Sequence, residues 1–142
     1  MTDFELQDFL PYLLNRAAEK ASLDFQAVYK REYGMLRTEW RVLFHLGAYG
    51  EMTAKEICES GGLHKTKVSR AVSALEEKRL LKRIRSESDR REEYLSLTQP
   101  GTVAFRNLKA RAREYQENFT SQFSSTEFGI LTNCLQKLAE KR

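Results

Sequence analysis

The sequence predicts a mainly α-helical chain carrying one small β-hairpin, and three observations lead there. Apolar residues recur at spacings of three and four along most of the 142 residues, as they do in helices that bury one side. That period gives way to alternation only between Leu80 and Leu97, where two short strands flank a charged tip. Glycines and capping residues fall at the joints between these segments, so punctuation and periodicity agree.

The first helix is long. Phe9, Leu13, Ala17 and Ala21 recur every fourth residue, with Leu10, Leu14 and Ala18 beside them. Pro11 fits only in a first turn, so the main helix begins near it. The pattern continues through Leu23, Phe25, Val28 and Tyr29 to Tyr33, and Gly34 follows as a C-terminal cap. The apolar side is broader than one neighbour covers, which points to a second subunit. A second helix occupies about Arg37 to Tyr49, with Trp40, Leu43, Phe44 and Leu46 inward and Gly50 closing it. Thr38 is the better capping residue by chemistry and Glu39 suits a first turn from either start, which leaves the boundary open by two residues. Thr53 and Glu56 form a capping box for a short third helix. Its apolar contacts are Ile57 and Cys58, and it ends at Gly61 and Gly62.

The chain resumes as helix at His64. Val68, Ala71, Val72 and Leu75 form the buried stripe, while Lys65, Thr66, Lys67, Ser69, Arg70 and Ser73 face outward. Two helices joined by a glycine-bearing turn, the second with a basic and small-polar outer face, make a helix-turn-helix. Leu80 to Arg85 and Glu93 to Leu97 are the two strands, and SESDRR between them has no apolar anchor. A hairpin at this place makes the unit a winged helix-turn-helix, an α+β arrangement. Thr98 then caps a helix that tolerates Pro100 in its first turn and carries Ala104, Phe105, Leu108, Ala112, Tyr115 and Phe119 inward. Ser124 and Glu127 give another capping box before Phe128, Leu131, Leu135 and Leu138. Neither terminal helix has an evident cover.

Charge locates the candidate function. The chain has a net charge of +4, yet His64 to Arg91 holds ten Lys/Arg against four acids, so the whole basic excess lies in about one fifth of the chain. Such a segment suits a polyanion. The plain alternative is a solvated charged face, and what decides between them is that a helix presents these charges at groove-sized width. Enzyme classes find little support: there is no glycine-rich phosphate loop and no nucleophile with a plausible base. With two histidines and two cysteines, neither a metal site nor a cofactor is expected. Cys58 and Cys134 are expected as buried helix contacts without a redox role. No apolar run approaches the roughly 20 residues of a membrane span, and the acidic start is unlike a secretory signal, so a cytoplasmic protein is expected.

The order of these elements resembles the MarR family of bacterial transcriptional regulators along nearly the whole chain. The likeness runs from PYLLNRA (Pro11 to Ala17) through EWRVLFHL (Glu39 to Leu46) and GLHKTKVSRAVSALEEKRLL (Gly62 to Leu81) to SDRREEYLSLT (Ser88 to Thr98). Asp89-x-Arg91 followed by Leu97-Thr98 is its most specific element. The resemblance implies a homodimer built by residues 1–36 and 99–142, with residues 37–98 as the DNA-binding domain. It also implies control by a small, often aromatic, effector. Leu36 and His64 depart from the family's usual capping residues, which is expected to weaken those helix ends. The family's oxidation sensors carry a cysteine in the first helix, and this chain has none there.

The candidate sites follow. Lys67 and Arg70 are expected to make base or phosphate contacts with double-stranded DNA, Thr66 and Ser69 to position the helix on the backbone, and Lys65 and Ser73 to complete the face. Arg90 and Arg91 suit a narrow minor groove, with Asp89 holding an arginine in place. Tyr29, Tyr33, Trp40, Phe44, His45 and Tyr115 are candidates to line an effector cleft, although aromatics at helical spacing more often build a core. The competing readings are a non-specific architectural nucleic-acid binder, separated by its ratio of operator to random-duplex affinity, and a protein-interaction module, which would show no salt-dependent DNA binding.

Overall fold

The computed structural model describes residues 4–85, 87–88 and 92–140. The chain divides into two compact units at Lys109 and Ala110. The first holds α1 (Leu10–Tyr33), α2 (Arg37–Tyr49), β1 (Met52–Thr53), α3 (Ala54–Gly61), α4 (Lys65–Glu77), β2 (Leu81–Arg85), β3 (Glu93–Leu97) and the opening turns of α5 (Gln99–Thr120). The second holds the remainder of α5 and α6 (Ser125–Ala139). A 3-10 turn at Leu6–Asp8 precedes α1.

The helix ends follow local chemistry, with one exception. Pro11 sits in the first turn of α1, and Gly34 ends that helix at φ 65°, its N–H donating to the Lys30 carbonyl at 2.9 Å. Thr53 and Glu56 make the expected reciprocal box at the start of α3, each N–H donating to the other's side chain at 3.1 Å. The exception is α2. Leu36 occupies its N-cap position in extended backbone, so Thr38 lies inside the helix instead of capping it. Leu36 has no side-chain acceptor; its N–H instead donates to Glu39 Oε2 at 3.2 Å. Glu39 can play this part because it is buried and held from the other side by the Lys78 ammonium, 2.7 Å from its Oε1.

The sheet has three antiparallel strands in the order β1-β3-β2. Leu81 pairs with Leu97 and Arg83 with Leu95, while Met52 of β1 pairs with Leu95 from the other side. The sequence reading had two strands; β1 has only two residues, too few to display an alternating pattern. The core of the first unit gathers Val42, Leu43 and Leu46 of α2, Ile57 of α3, the expected stripe of α4, and Leu81, Leu95, Phe105 and Leu108. Trp40 and Phe44, expected inward, are half-buried, because they sit at the edge of this core in an aromatic row. Two close approaches tighten it. A Cβ at Gly47 would lie 2.2 Å from the Phe105 ring, and one at Gly101 would lie 1.9 Å from the Leu80 carbonyl oxygen.

The second unit is a pair of helical segments. Ser124 and Glu127 form the expected box at the head of α6. None of the residues of α6 is buried, and Ile130 and Leu138 are 59% and 56% exposed. Cys134, expected as a buried contact, is exposed, and Cys58 in the first unit is half-buried. Phe9, Leu10 and Leu13 at the other end of the sequence are exposed in the same way. Among the described residues no helix is long and apolar enough to cross a membrane.

Candidate nucleic-acid interface

α4 has two faces of opposite character. Val68, Ala71, Val72 and Leu75 are buried, while Lys65, Thr66, Lys67, Ser69, Arg70 and Ser73 are all exposed. Burying a valine or leucine side chain contributes on the order of 2 kcal/mol, so the apolar stripe fixes which way the polar face turns. The first turn is satisfied locally: the Thr66 N–H donates to His64 Nδ1 at 3.2 Å. The imidazole therefore does the work of the usual Asp or Ser, and the capping loss expected from His64 does not arise at that donor.

The supports of α4 are polar as well as apolar. Arg41 of α2 donates through Nη2 to the Gly61 carbonyl at 2.9 Å, which places a cation at the C-terminal end of α3. Burial, reinforced by neighbouring Arg37, holds the Arg41 guanidinium below the usual arginine range, and it stays charged nonetheless. At the far end, Lys78 caps α4 and grips Glu39, while Arg79 takes a left-handed φ of 64°. Its carbonyl accepts from Thr98 Oγ1 at 2.7 Å, and the same hydroxyl oxygen accepts from the Gly101 N–H at 3.0 Å. The turn from recognition helix to hairpin is thus bound to α2 and to the start of α5.

Arg83 of β2 is a functional candidate that sequence reasoning missed. Its guanidinium donates to Glu76 Oε1 at 3.1 Å and to Ser73 Oγ at 3.2 Å, and Nη1 lies 3.5 Å from Glu93 Oε2. The hydroxyl of Ser73, a residue of the expected DNA-facing set, is therefore already engaged. A signal was present in the chain: Glu93 falls on the strand facing Arg83, two register steps from Arg83's partner Leu95 and so on the same face of the sheet. Asp89, Arg90 and Arg91 lie outside the described residues.

Of the six effector candidates, three share one aromatic row. Tyr29, Trp40 and Phe44 are brought together in a row with Phe25 and Phe105. Tyr29 stacks on Trp40 at 5.8 Å, and Trp40 meets Phe44 edge-on at 5.0 Å. Tyr29 is fully buried there, and burial pushes its phenol up against the opposing pull of Arg37. Tyr33 accepts a hydrogen bond from Asn107 Nδ2 at 2.9 Å. His45 lies near Tyr49, with Nδ1 bonded to the Arg41 carbonyl at 2.8 Å. Tyr115 belongs to the second unit, stacked on Phe119. A cleft of about 420 Å³ opens between the end of α2, β3 and the start of α5, with Leu46, Leu97 and Phe105 facing Ser96, Thr102 and Arg106. None of the six lines it. Among the described residues no cluster of His, Cys, Asp or Glu has metal-holding geometry.

An exposed basic helix seated on a helix-turn-helix and followed by a hairpin defines a winged-helix DNA-binding protein. Residues 33–92 match the model of the MarR family, and the proteins similar to this chain along most of its length are DNA-binding transcriptional regulators. It is 22% identical over 132 residues to the homoprotocatechuate degradative operon repressor of Escherichia coli, covering 93% of this chain and 88% of the repressor. Among solved structures it is similar to a MarR/EmrR family transcriptional regulator from Acinetobacter sp. ADP1, at 27% identity over 95% of both chains with a TM-score of 0.85. It shares its fold with BpsR of Bordetella bronchiseptica, whose DNA binding is regulated by 6-hydroxynicotinic acid. There the TM-score is 0.89 at 17% identity, over 99% of this chain and 100% of that one.

Proposed function

We propose that this regulator is a ligand-responsive repressor acting in the cytoplasm, and that it binds an inverted-repeat operator as a homodimer. The observation that carries the reading is the outward face of α4, where Lys65, Thr66, Lys67, Ser69 and Arg70 are exposed together within two turns. Lys67 and Arg70 make base or phosphate contacts, Thr66 and Ser69 set the helix on the backbone, and Arg90 and Arg91 enter the minor groove with Asp89 orienting them. The exposed apolar residues of α1 and α6 support a two-fold partner. Residues 1–36 and 99–142 supply that interface, and residues 37–98 the DNA-binding domain. A two-fold dimer presents its helices to half-sites about one helical turn apart. That the E. coli relative is an operon repressor, and that BpsR responds to a small aromatic acid, supports repression released by a ligand of that kind.

The test is selection of fragments from the parent genome by the purified protein, followed by titration of the best fragment and a random duplex at physiological salt. Arg70→Ala is expected to weaken binding to the selected fragment by about 1 to 3 kcal/mol. Equal affinity for both duplexes would make the protein a non-specific architectural binder. A footprint over a single asymmetric site would remove the dimeric reading.

A further inference from the structure

The hairpin has little to hold its angle. β1 pairs with β3 only at Tyr94 and Leu95, so beyond the pair Ile84 and Tyr94 the described part of the wing is two-stranded. A ribbon of two strands is marginal in water by itself, and its aim relative to α4 has to come from side chains. Arg83 stands at the three-stranded level next to Ile84 and Tyr94, opposite Leu95. One guanidinium there reaches Glu76 and Ser73 on α4 and Glu93 on the opposite strand. Its planar fork fixes direction as well as distance, which an ammonium would not.

Resting on the DNA-binding reading above, we propose that Arg83 is a positioning residue: through Glu76 and Ser73 it sets the angle between wing and recognition helix, and so the wing's share of DNA affinity. The rival role for an arginine at this place is direct contact with a phosphate. The two roles give opposite signs for the same substitution. Removing the Glu76 carboxylate takes a negative charge away from the DNA-facing side and frees Arg83, so a phosphate contact would become stronger. A brace loses its main acceptor, and binding becomes weaker.

The experiment measures affinity of the wild type, Glu76→Ala, Arg83→Met, Arg83→Lys and the Glu76→Ala/Arg83→Met double variant for the genomic fragment selected by the wild type, across a salt series. The brace predicts that each single variant binds about 3- to 10-fold more weakly and that the double variant is no worse than Arg83→Met, as coupled partners are non-additive. The slope of log affinity against log salt stays at the wild-type value, because no phosphate contact is lost. Arg83→Lys does not rescue. Tighter binding by Glu76→Ala, rescue by lysine, or a slope reduced by about one in Arg83→Met would make Arg83 a phosphate contact and overturn the proposal. Wild-type affinity in all variants would overturn it too. Should Arg83→Met fail to fold, Glu76→Ala and Arg83→Lys decide the sign between them. A wild type that shows no salt-dependent binding to any fragment would instead sink the DNA-binding reading itself.

Discussion

Replacing Lys78 by methionine separates a buried carboxylate from its counter-ion, and the structure fixes how costly that is. The Glu39 side chain is 6% exposed and the Lys78 side chain 32%, with Nζ 2.7 Å from Oε1. The other oxygen of Glu39 accepts only the Leu36 N–H in compensation. Breaking a fully buried pair from one side costs about 3 to 5 kcal/mol. Because Lys78 is a third exposed, water replaces part of what it gave, which brings the expectation for Lys78→Met to about 2 to 3 kcal/mol. Glu39→Gln is milder. Its amide oxygen still accepts from Leu36, and the abandoned ammonium can turn to solvent, so about 1 kcal/mol is expected. The order of the two variants is therefore set by which partner is left behind. Urea unfolding at one fixed protein concentration measures both. A cost below about 0.5 kcal/mol for Lys78→Met, or a larger cost for Glu39→Gln, would refute the reasoning, since surface pairs are worth no more than that.

Three further outcomes are expected. Alanine normally stabilises a helix over glycine by about 1 kcal/mol, but Gly101→Ala should destabilise by on the order of 3 kcal/mol because the obstacle is the Leu80 backbone carbonyl, 1.9 Å away; an unchanged or higher melting temperature would contradict this. Gly47→Ala should also destabilise, yet here the obstacle is the Phe105 ring, so Phe105→Leu introduced together with it should recover part of the loss; a strictly additive double mutant would disprove the contact. Thr53→Ala removes the acceptor for the Glu56 N–H and should cost about 1 kcal/mol in thermal unfolding, whereas Thr38→Ala should cost little, since Thr38 caps nothing.

What the sequence disclosed was whatever depends on spacing within one element. The two faces of α4 follow from a period of 3.6, and all four residues expected inside are buried. The boxes at Thr53 and Ser124 close within three residues and were legible for the same reason. What escaped depends on a distant partner. Leu36 can start α2 without a hydroxyl because Lys78, 39 residues beyond Glu39, holds that carboxylate in place. β1 exists only by pairing with β3. The aromatic residues announced themselves by spacing but not by destination: Tyr29, Trp40 and Phe44 joined a packed row, while Tyr33 is bonded to Asn107 and His45 to the Arg41 carbonyl. Cys134 was misjudged because burial on α6 depends on what covers the helix, which spacing along one chain does not reveal.

The same distinction applies to charge. A basic window counted along the chain treats its cations as equivalent, yet they divide by what they meet in three dimensions. Lys78 is turned inward to Glu39, and Arg83 is shared between Glu76 and Glu93. These two spend their charge within the fold, where they hold the end of α4 against α2 and against the hairpin. Lys65, Lys67 and Arg70 stand on the exposed face that those contacts orient. In the function proposed above, affinity for a polyanion draws on the second group, and the geometry that lets them reach one groove together draws on the first. A regulator of this size therefore needs acids set against its basic segment: without Glu39 and Glu76 the chain would be more positive overall, but the face proposed to meet DNA would be less well aimed.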